Sequence, residues 1–126
     1  MSTIEYKTGK GVIEQRDPEI GKIETQKRKD FLSSILPQLR NLLITNVGDI
    51  FHFELTGSVK AELATPDSDI DIFVLPRSNT TEYQKNILVI ESLKAMQTLK
   101  EDKTINFLYN IELWFGTEKN EDELLG

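Results

Sequence analysis

The chain has 126 residues, of which 38% are hydrophobic and 29% charged, and this is the composition of one soluble folded domain. It contains no cysteine and a single histidine, His52, which excludes disulfides, thiolate chemistry and the two-histidine zinc motifs. The net charge of −6 makes it a poor passive binder of nucleic acid, because phosphate contacts supply most of that affinity. No segment fits a signal peptide or a membrane helix, so we expect a cytoplasmic protein without a membrane partner.

The N-terminal region, residues 1–22, is weakly patterned and predicts an arm outside the main domain. Ile4 and Tyr6 precede the turn-forming sequence TGKG at residues 8–11, and Val12 follows it. This arrangement is consistent with a small β-hairpin, and a loose arm fits the sequence equally well.

A long helix is predicted after the arm. Asp17 followed by Pro18 has the pattern of a helix N-cap with proline in the first turn. Within residues 23–45 the apolar side chains form one helical stripe, at positions 32, 35, 36, 39, 42 and 43. Pro37 lies inside the stripe and predicts that the helix is kinked or divided. The basic sequence KRK at 27–29 predicts a solvated helix face rather than a nucleic-acid patch.

Three strands are predicted in the rest of the chain, at residues 50–56, 69–75 and 105–115, the last being strongest from residue 110 onward. Pro76 ends the second strand. A short helix is predicted at residues 58–64, between the first two strands. Because helices and strands alternate, the sequence predicts an α/β fold with a small mixed β-sheet covered by helices.

A further helix is predicted between the second and third strands. Thr81 and Gln84 have the spacing of a capping box, and the helix should run to about residue 100. Four apolar residues are predicted to face the core: Ile87, Ile90, Leu93 and Met96. We expect residues 23–116 to form the domain and residues 117–126, which carry four acids and one lysine, to form a frayed acidic tail.

The segment that follows the first strand carries the polar groups best suited to chemistry. Gly57 and Ser58 come directly after a strand and open a helix, where free backbone N–H groups bind phosphate and the hydroxyl adds a donor. Asp69 and Asp71 alternate on the next strand, so their carboxylates share one face at about 7 Å spacing. Like charges at that distance are tolerated mainly with a cation between them, and oxygen ligands suit Mg²⁺ or Mn²⁺.

Glu112 is the candidate for a third metal-binding acid. Its apolar neighbours on the last strand face the core, which directs Glu112 to the face of the two aspartates. Trp114 shares that face, and both packing and stacking on a nucleobase are open interpretations. Glu91 and Glu101 belong to the preceding helix and are interpreted as solvated, and His52 as a surface or core-edge side chain.

The polar segment resembles a known signature. A Gly-Ser pair at 57–58, ten intervening residues and the sequence DID at 69–71 resemble the DNA polymerase β-type nucleotidyltransferase superfamily. The sequence ATPDSDID at 64–71 is most similar to the minimal nucleotidyltransferases of bacteria and archaea, and Glu112 matches the third family acid. The resemblance implies a nucleotidyltransferase fold and transfer of a nucleoside monophosphate from a nucleoside triphosphate, with ATP the expected donor, to an acceptor hydroxyl.

The resemblance also implies roles for individual residues. Asp69, Asp71 and Glu112 would be catalytic and would hold Mg²⁺ or Mn²⁺ ions that bridge the triphosphate and lower the pKa of the acceptor hydroxyl. Gly57 and Ser58 would hold the β- and γ-phosphates. The implied reaction is a two-metal, in-line displacement in which pyrophosphate leaves.

One departure from the family pattern concerns the helix after the Gly-Ser pair. Many relatives have arginine and then glycine at the third and fourth positions after the serine, where this chain has Ala61 and Glu62. Lys60 is the neighbouring cation that could replace the missing arginine. The departure leaves open an alternative, namely a weakly active or inactive nucleotidyltransferase-fold subunit that binds a partner.

The resemblance extends to partners. Many small proteins of this kind act in bacterial toxin–antitoxin pairs, where they adenylylate a small helical partner of the HEPN type. A nucleic-acid acceptor is disfavoured by the charge of −6. With so short a chain, base and acceptor selectivity could depend on a homo- or hetero-oligomer.

Overall fold

The computed structural model of the chain describes residues 2–116 and contains two small sheets and three helices. The predicted tail at 117–126 lies outside the described residues. In chain order the elements are β1 Ile4–Lys7, β2 Ile13–Arg16, α1 Pro18–Val47, β3 Phe51–Thr56, α2 Gly57–Lys60, β4 Ile70–Pro76, α3 Glu82–Glu101 and β5 Ile111–Phe115.

The larger sheet has the strand order β3-β4-β5 and is mixed, since β3 pairs with β4 antiparallel and β4 with β5 parallel. A parallel neighbour requires a crossover, and α3 provides it. Ile70, Ile72 and Val74 of β4 belong to the buried cluster that also contains the apolar stripe of α1 and residues of α3. The predicted α/β fold with a small mixed sheet covered by helices is therefore confirmed, and the helices cover one of its faces.

The N-terminal region forms a hairpin rather than a loose arm. β1 and β2 pair antiparallel, and the turn between them closes through the Thr8 N–H, which donates to the Val12 carbonyl at 2.8 Å. Arg16 attaches the hairpin to the domain, because its Nη1 donates to the Leu63 carbonyl at 2.8 Å. The Arg16 guanidinium also lies 4.8 Å from the centre of the Tyr6 ring.

Helix α1 begins as predicted and is longer than the predicted stripe. The Asp17 side chain accepts a hydrogen bond from the Glu19 N–H at 2.8 Å and caps the helix. Pro37 does not divide the helix, which runs on to Val47. Proline inside a helix costs roughly 3 kcal/mol. The fully buried Leu39 and Leu43 that follow it supply about 1.5–3 kcal/mol each, which offsets that cost.

The prediction of a solvated face at residues 27–29 is wrong for Arg28, whose exposed fraction is 0%. Its guanidinium donates to the carbonyls of Pro66 at 3.2 Å and Ser68 at 3.1 Å, and it forms an ion pair with Glu24 at 2.9 Å. The guanidinium also lies 4.3 Å from the centre of the Tyr109 ring. Arg28 thus joins α1 to the loop that leads into β4. A buried guanidinium is tolerated there because carbonyl oxygens and the Glu24 carboxylate accept its hydrogen bonds.

The short helix α2 ends at Lys60 rather than at the predicted Ala64. Glu62 has a φ of +59°, which lies in the left-handed region and outside the range of a right-handed α-helix. The Leu63 N–H donates to the Ser58 carbonyl at 2.9 Å, as in a Schellman motif, where glycine is the usual residue in the left-handed position. This chain therefore ends α2 with a glutamate in the left-handed position, where a residue with a side chain is strained.

Helix α3 has the predicted capping box but a different buried face. Met96 is buried as predicted and Ile87 is half-buried, whereas Ile90 and Leu93 are 48% and 55% exposed, so the predicted inward face is wrong at these two positions. The buried face contains the small residues Ser92 and Ala95, and α3 packs against α1. The buried residues of the helix are Leu88, Ser92, Ala95, Met96 and Leu99.

The last predicted strand is shortened at its start. Strand β5 covers only Ile111–Phe115, because the preceding residues form an irregular segment. Phe107 and Tyr109 of that segment pack edge-on against Phe31, each at a ring-centre distance of 5.6 Å. The predicted strands at 50–56 and 69–75 agree with β3 and β4 to within one residue at each end. Among residues 2–116, neither long helix is apolar enough to cross a bilayer.

Candidate functional site

The three predicted acids lie together on the sheet face opposite α1 and α3. In the β4–β5 register Asp71 is directly opposite Glu112, and Asp69 immediately precedes β4. All three side chains line a cavity of about 350 Å³, and Ser58 lines it as well. The structure thus brings together the acids that alternation along two strands predicted to share a face.

The electrostatics of this cavity are unfavourable for three negative charges. Burial raises the pKa of Asp71, and the charge of Asp69 acts in the same direction, whereas a hydrogen bond from Trp114 opposes the rise. Burial likewise raises the pKa of Glu112, and the two aspartates add to it. The charges of Asp69 and Asp71 therefore destabilise the ionised form of Glu112, and the charge of Asp69 destabilises that of Asp71, which is the situation that a bound cation relieves.

Gly57 is required by the close approach of its backbone to Asp71. Its φ is +66°, a region that residues with a side chain rarely adopt. A Cβ placed on Gly57 would lie 2.5 Å from Asp71 Oδ2, so any side chain would displace that carboxylate. Ser58 follows at the start of α2 and is only 8% exposed. The Gly-Ser pair is therefore in contact with the acid cluster, as a phosphate-binding role requires.

A second, larger cavity of about 530 Å³ adjoins the first, since Tyr6, Asp71 and Trp114 line both. Lys60 and Ala61 line only the larger one. Glu62 lines neither of them, and its side chain extends toward Lys29 at 3.9 Å. The predicted phosphate ligand Lys60 thus lines the same cavity as Gly57, and the side chain of Glu62 lies outside both cavities.

The hairpin residues of this site were not predicted from the sequence. Tyr6, Lys7 and Gly9 line the larger cavity, and Lys10 and Arg16 line the smaller one. No short-range signal links them to the sheet, because the contact joins residues far apart in the chain. The only hint was the alternation of Ile4 and Tyr6, which indicated a strand but not its partner surface.

Two further side chains fix the surroundings of the acids. Trp114 is 44% exposed, and its indole Nε1 donates to Asp71 Oδ1 at 3.2 Å. His52 is half-buried opposite Leu75, at the other end of β4 from Asp71, and its Nε2 lies 3.1 Å from Glu54 Oε1. The interpretation of His52 as a core-edge residue agrees with this placement, and Trp114 is an aromatic side chain bonded directly to one of the acids.

The chemistry of the donor set fits a hard divalent cation, since carboxylate oxygens that repel one another surround the smaller cavity. As the side chains stand, the part of the chain from residue 2 to residue 116 contains no group of three or more His, Asp or Glu in a metal-ligating arrangement. One oxygen of Asp71 is engaged by Trp114 instead. The three acids therefore provide suitable ligand atoms for a divalent cation, but their side chains are not arranged around a common point.

Comparison with known families agrees with this site. The nucleotidyltransferase domain matches residues 32–124, well over half of the chain, and the protein therefore belongs to that family. The match includes β3, β4 and β5 and so all three acids. Proteins of this family transfer nucleoside monophosphates from nucleoside triphosphates and typically use divalent metals. No curated protein and no solved structure matches the chain. The family predicted from the resemblance is confirmed, and the roles of single residues remain predictions.

Proposed function

We propose that the protein is an active, metal-dependent nucleotidyltransferase that moves AMP from ATP to an acceptor hydroxyl. The observation that carries this proposal is the register of β4 and β5, which pairs Asp71 with Glu112 next to Gly57. Asp69 and Ser58 complete the same cavity. Carboxylates, a close-approach glycine and a hydroxyl donor at one point are the groups that phosphoryl chemistry needs.

The residues of the cavity divide into donors and acceptors. The Ser58 hydroxyl and nearby backbone N–H groups would bind the β- and γ-phosphates, and Gly57 would allow the phosphate oxygens to approach closely. Mg²⁺ or Mn²⁺ ions held by Asp69, Asp71 and Glu112 would neutralise the triphosphate and lower the pKa of the acceptor hydroxyl. In the reaction the acceptor oxygen bonds to the α-phosphorus, the bond to the β-phosphate oxygen breaks, and pyrophosphate leaves with that electron pair. The hydroxyl proton is lost to solvent.

For the acceptor, we propose a small helical partner protein of the HEPN type, within a toxin–antitoxin pair. This proposal is supported by the resemblance to minimal nucleotidyltransferases. The net charge of −6 is consistent with it, because an acidic chain attracts nucleic-acid acceptors poorly.

The alternative function is an inactive subunit that binds a partner. Ala61 favours it, because this residue lines the larger cavity where many relatives place an arginine. The presence of three acids in one cavity favours activity, since a pure binding module has no need to concentrate like charges, here two aspartates that raise the pKa of Glu112.

The decisive experiment is incubation of the protein with labelled ATP and Mg²⁺ beside the products of neighbouring genes. We expect label on one neighbour, and a loss of several orders of magnitude in the double variant Asp69→Asn, Asp71→Asn. Asp67→Asn is the matched control, since Asp67 is an exposed acid of the same loop that does not line the acid cavity. A parent that binds a neighbour tightly but never labels it would favour the inactive subunit.

A further inference from the structure

The larger cavity lies between the N-terminal hairpin and the sheet face that carries the acids. Its volume of about 530 Å³ is within the range of about 300–1,000 Å³ that small-molecule sites occupy. Tyr6 lines it from the hairpin, and Phe73 and Trp114 line it from the sheet. Aromatic side chains therefore contribute to the cavity from both the hairpin and the sheet, and α2 lines it as well.

Two of these three aromatic rings, those of Tyr6 and Trp114, are held in place by polar contacts. The Trp114 indole is fixed by its hydrogen bond to Asp71, at 3.2 Å. The Tyr6 ring is fixed by the Arg16 guanidinium at 4.8 Å, and Arg16 is itself bonded to the Leu63 carbonyl. Rings positioned in advance lose little conformational freedom when a flat ligand stacks on them.

The position of this cavity relative to the acids indicates which part of a nucleotide it would hold. Asp71 lines both cavities, and the α-phosphate of a triphosphate has to lie beside the acids. The nucleoside is bonded directly to that phosphate and must therefore occupy adjoining space. Gly57 and Lys60 also line the larger cavity, so it would hold the nucleoside together with phosphate groups.

We propose that the hairpin forms one wall of the nucleotide site and that the nucleoside is held between Tyr6 and Trp114. The inference rests on the proposed function and adds to it a nucleoside subsite built by a segment outside the residues that the family match covers. The hairpin thereby supplies binding energy to a site that lacks the family's usual arginine.

The test separates nucleoside binding from phosphate binding by calorimetric titration. Mg²⁺-ATP and inorganic Mg²⁺-tripolyphosphate are titrated into the parent protein and into Tyr6→Ala, Tyr6→Phe and Tyr83→Ala. We expect Tyr6→Ala to weaken ATP binding roughly 5- to 100-fold, the range that loss of one stacking ring gives, and to change tripolyphosphate binding less than twofold. Tyr6→Phe should bind ATP nearly as the parent does. Tyr83 is an exposed tyrosine at the start of α3, and Tyr83→Ala should change nothing.

A second measurement does not depend on any substitution. Trp114 is the single tryptophan of the chain, so its fluorescence reports on the proposed subsite directly. We expect Mg²⁺-ATP to quench it and Mg²⁺-tripolyphosphate to leave it nearly unchanged. Equal quenching by both ligands, or equal loss of both affinities in Tyr6→Ala, overturns the nucleoside subsite while leaving the proposed function intact. A parent that binds neither ligand overturns both proposals.

Discussion

The two faces of the β3–β4–β5 sheet differ in the polarity of their side chains and in how completely those side chains are buried. On the helix side, Ile70, Ile72 and Val74 are fully buried and belong to a continuous apolar cluster. On the other side, Asp71 and Glu112 lie next to each other with their pKa values raised, under partial cover from the hairpin. Alternate side chains of β4 thus face the apolar core or the charged cavity.

Within a single strand, the residues that stabilise the fold therefore lie on one face and the candidate catalytic residues on the other. The core face gains free energy from removal of apolar area from water. The charged face loses free energy from repulsion among carboxylates, and that loss is tolerated where a cation or substrate can relieve it. Substitutions on the two faces should therefore have opposite consequences for activity and for stability.

The largest effect is expected for the acid that pairs across the strands. Glu112→Gln removes one charge with little change in shape, and we expect nucleotide transfer to fall by about a hundredfold or more. The melting temperature should be unchanged or higher in the absence of metal. The matched control is Glu91→Gln, because Glu91 lies on α3, pairs with Lys94 and lines neither cavity. Transfer at the parent rate in Glu112→Gln would remove Glu112 from the site.

The next effect sharpens the contrast between adjacent residues of β4. Ile72→Ala leaves a void in the core and should lower the free energy of unfolding by about 2–5 kcal/mol. Asp71→Asn, its neighbour on the charged face, should cost nothing, because asparagine keeps an oxygen acceptor for the Trp114 N–H. Urea unfolding of the two variants measures both values. A large stability loss in Asp71→Asn would mean that the acid is structural.

A smaller effect is expected where α2 ends. Glu62→Gly places glycine in the left-handed position and should raise the free energy of unfolding by about 0.5–1 kcal/mol. Glu62→Ala should give no such gain, since alanine keeps the backbone strain. The lost contact with Lys29 is an exposed pair at 3.9 Å and contributes little. Thermal melts of the three proteins make the comparison, and equal melting temperatures for the two variants would contradict the strain argument.

The smallest effect is a pH dependence confined to the charged face. The pKa of Asp71 and that of Glu112 are raised in the folded protein, so folding favours their protonated forms. The associated stability is present below the ordinary carboxyl pKa of about 4 and is lost as the pH rises through the raised values. With a chelator present, the melting temperature of the parent relative to Asp71→Asn should therefore decline from about pH 4 upward. A difference in melting temperature between the two proteins that stays constant with pH would show that the ionised carboxylates are not destabilised in the folded protein.

Local patterns in the sequence were sufficient to predict much of the fold and the acid cluster. Two-residue alternation placed Asp71 and Glu112 on one face, and the DID sequence with the Gly-Ser pair indicated the family that the domain match confirms. The capping box at Thr81 is likewise a short-range signal, and the structure contains it. These features depend only on neighbouring residues and on the geometry of a strand or a helix turn.

Only the tertiary structure decided the features that depend on distant parts of the chain. Arg28 was taken for a solvated residue, because its sequence neighbours are basic, yet carbonyls some 40 residues away make its burial favourable. The exposure of Ile90 and Leu93 depends on which face of α3 packs into the core, and that face includes Leu88, Ala95 and Met96. The placement of Tyr6 in the same cavity as Trp114 likewise required the hairpin to dock on the sheet. In each case the deciding free energy comes from a surface that exists only after the chain has folded, so no local pattern encodes it.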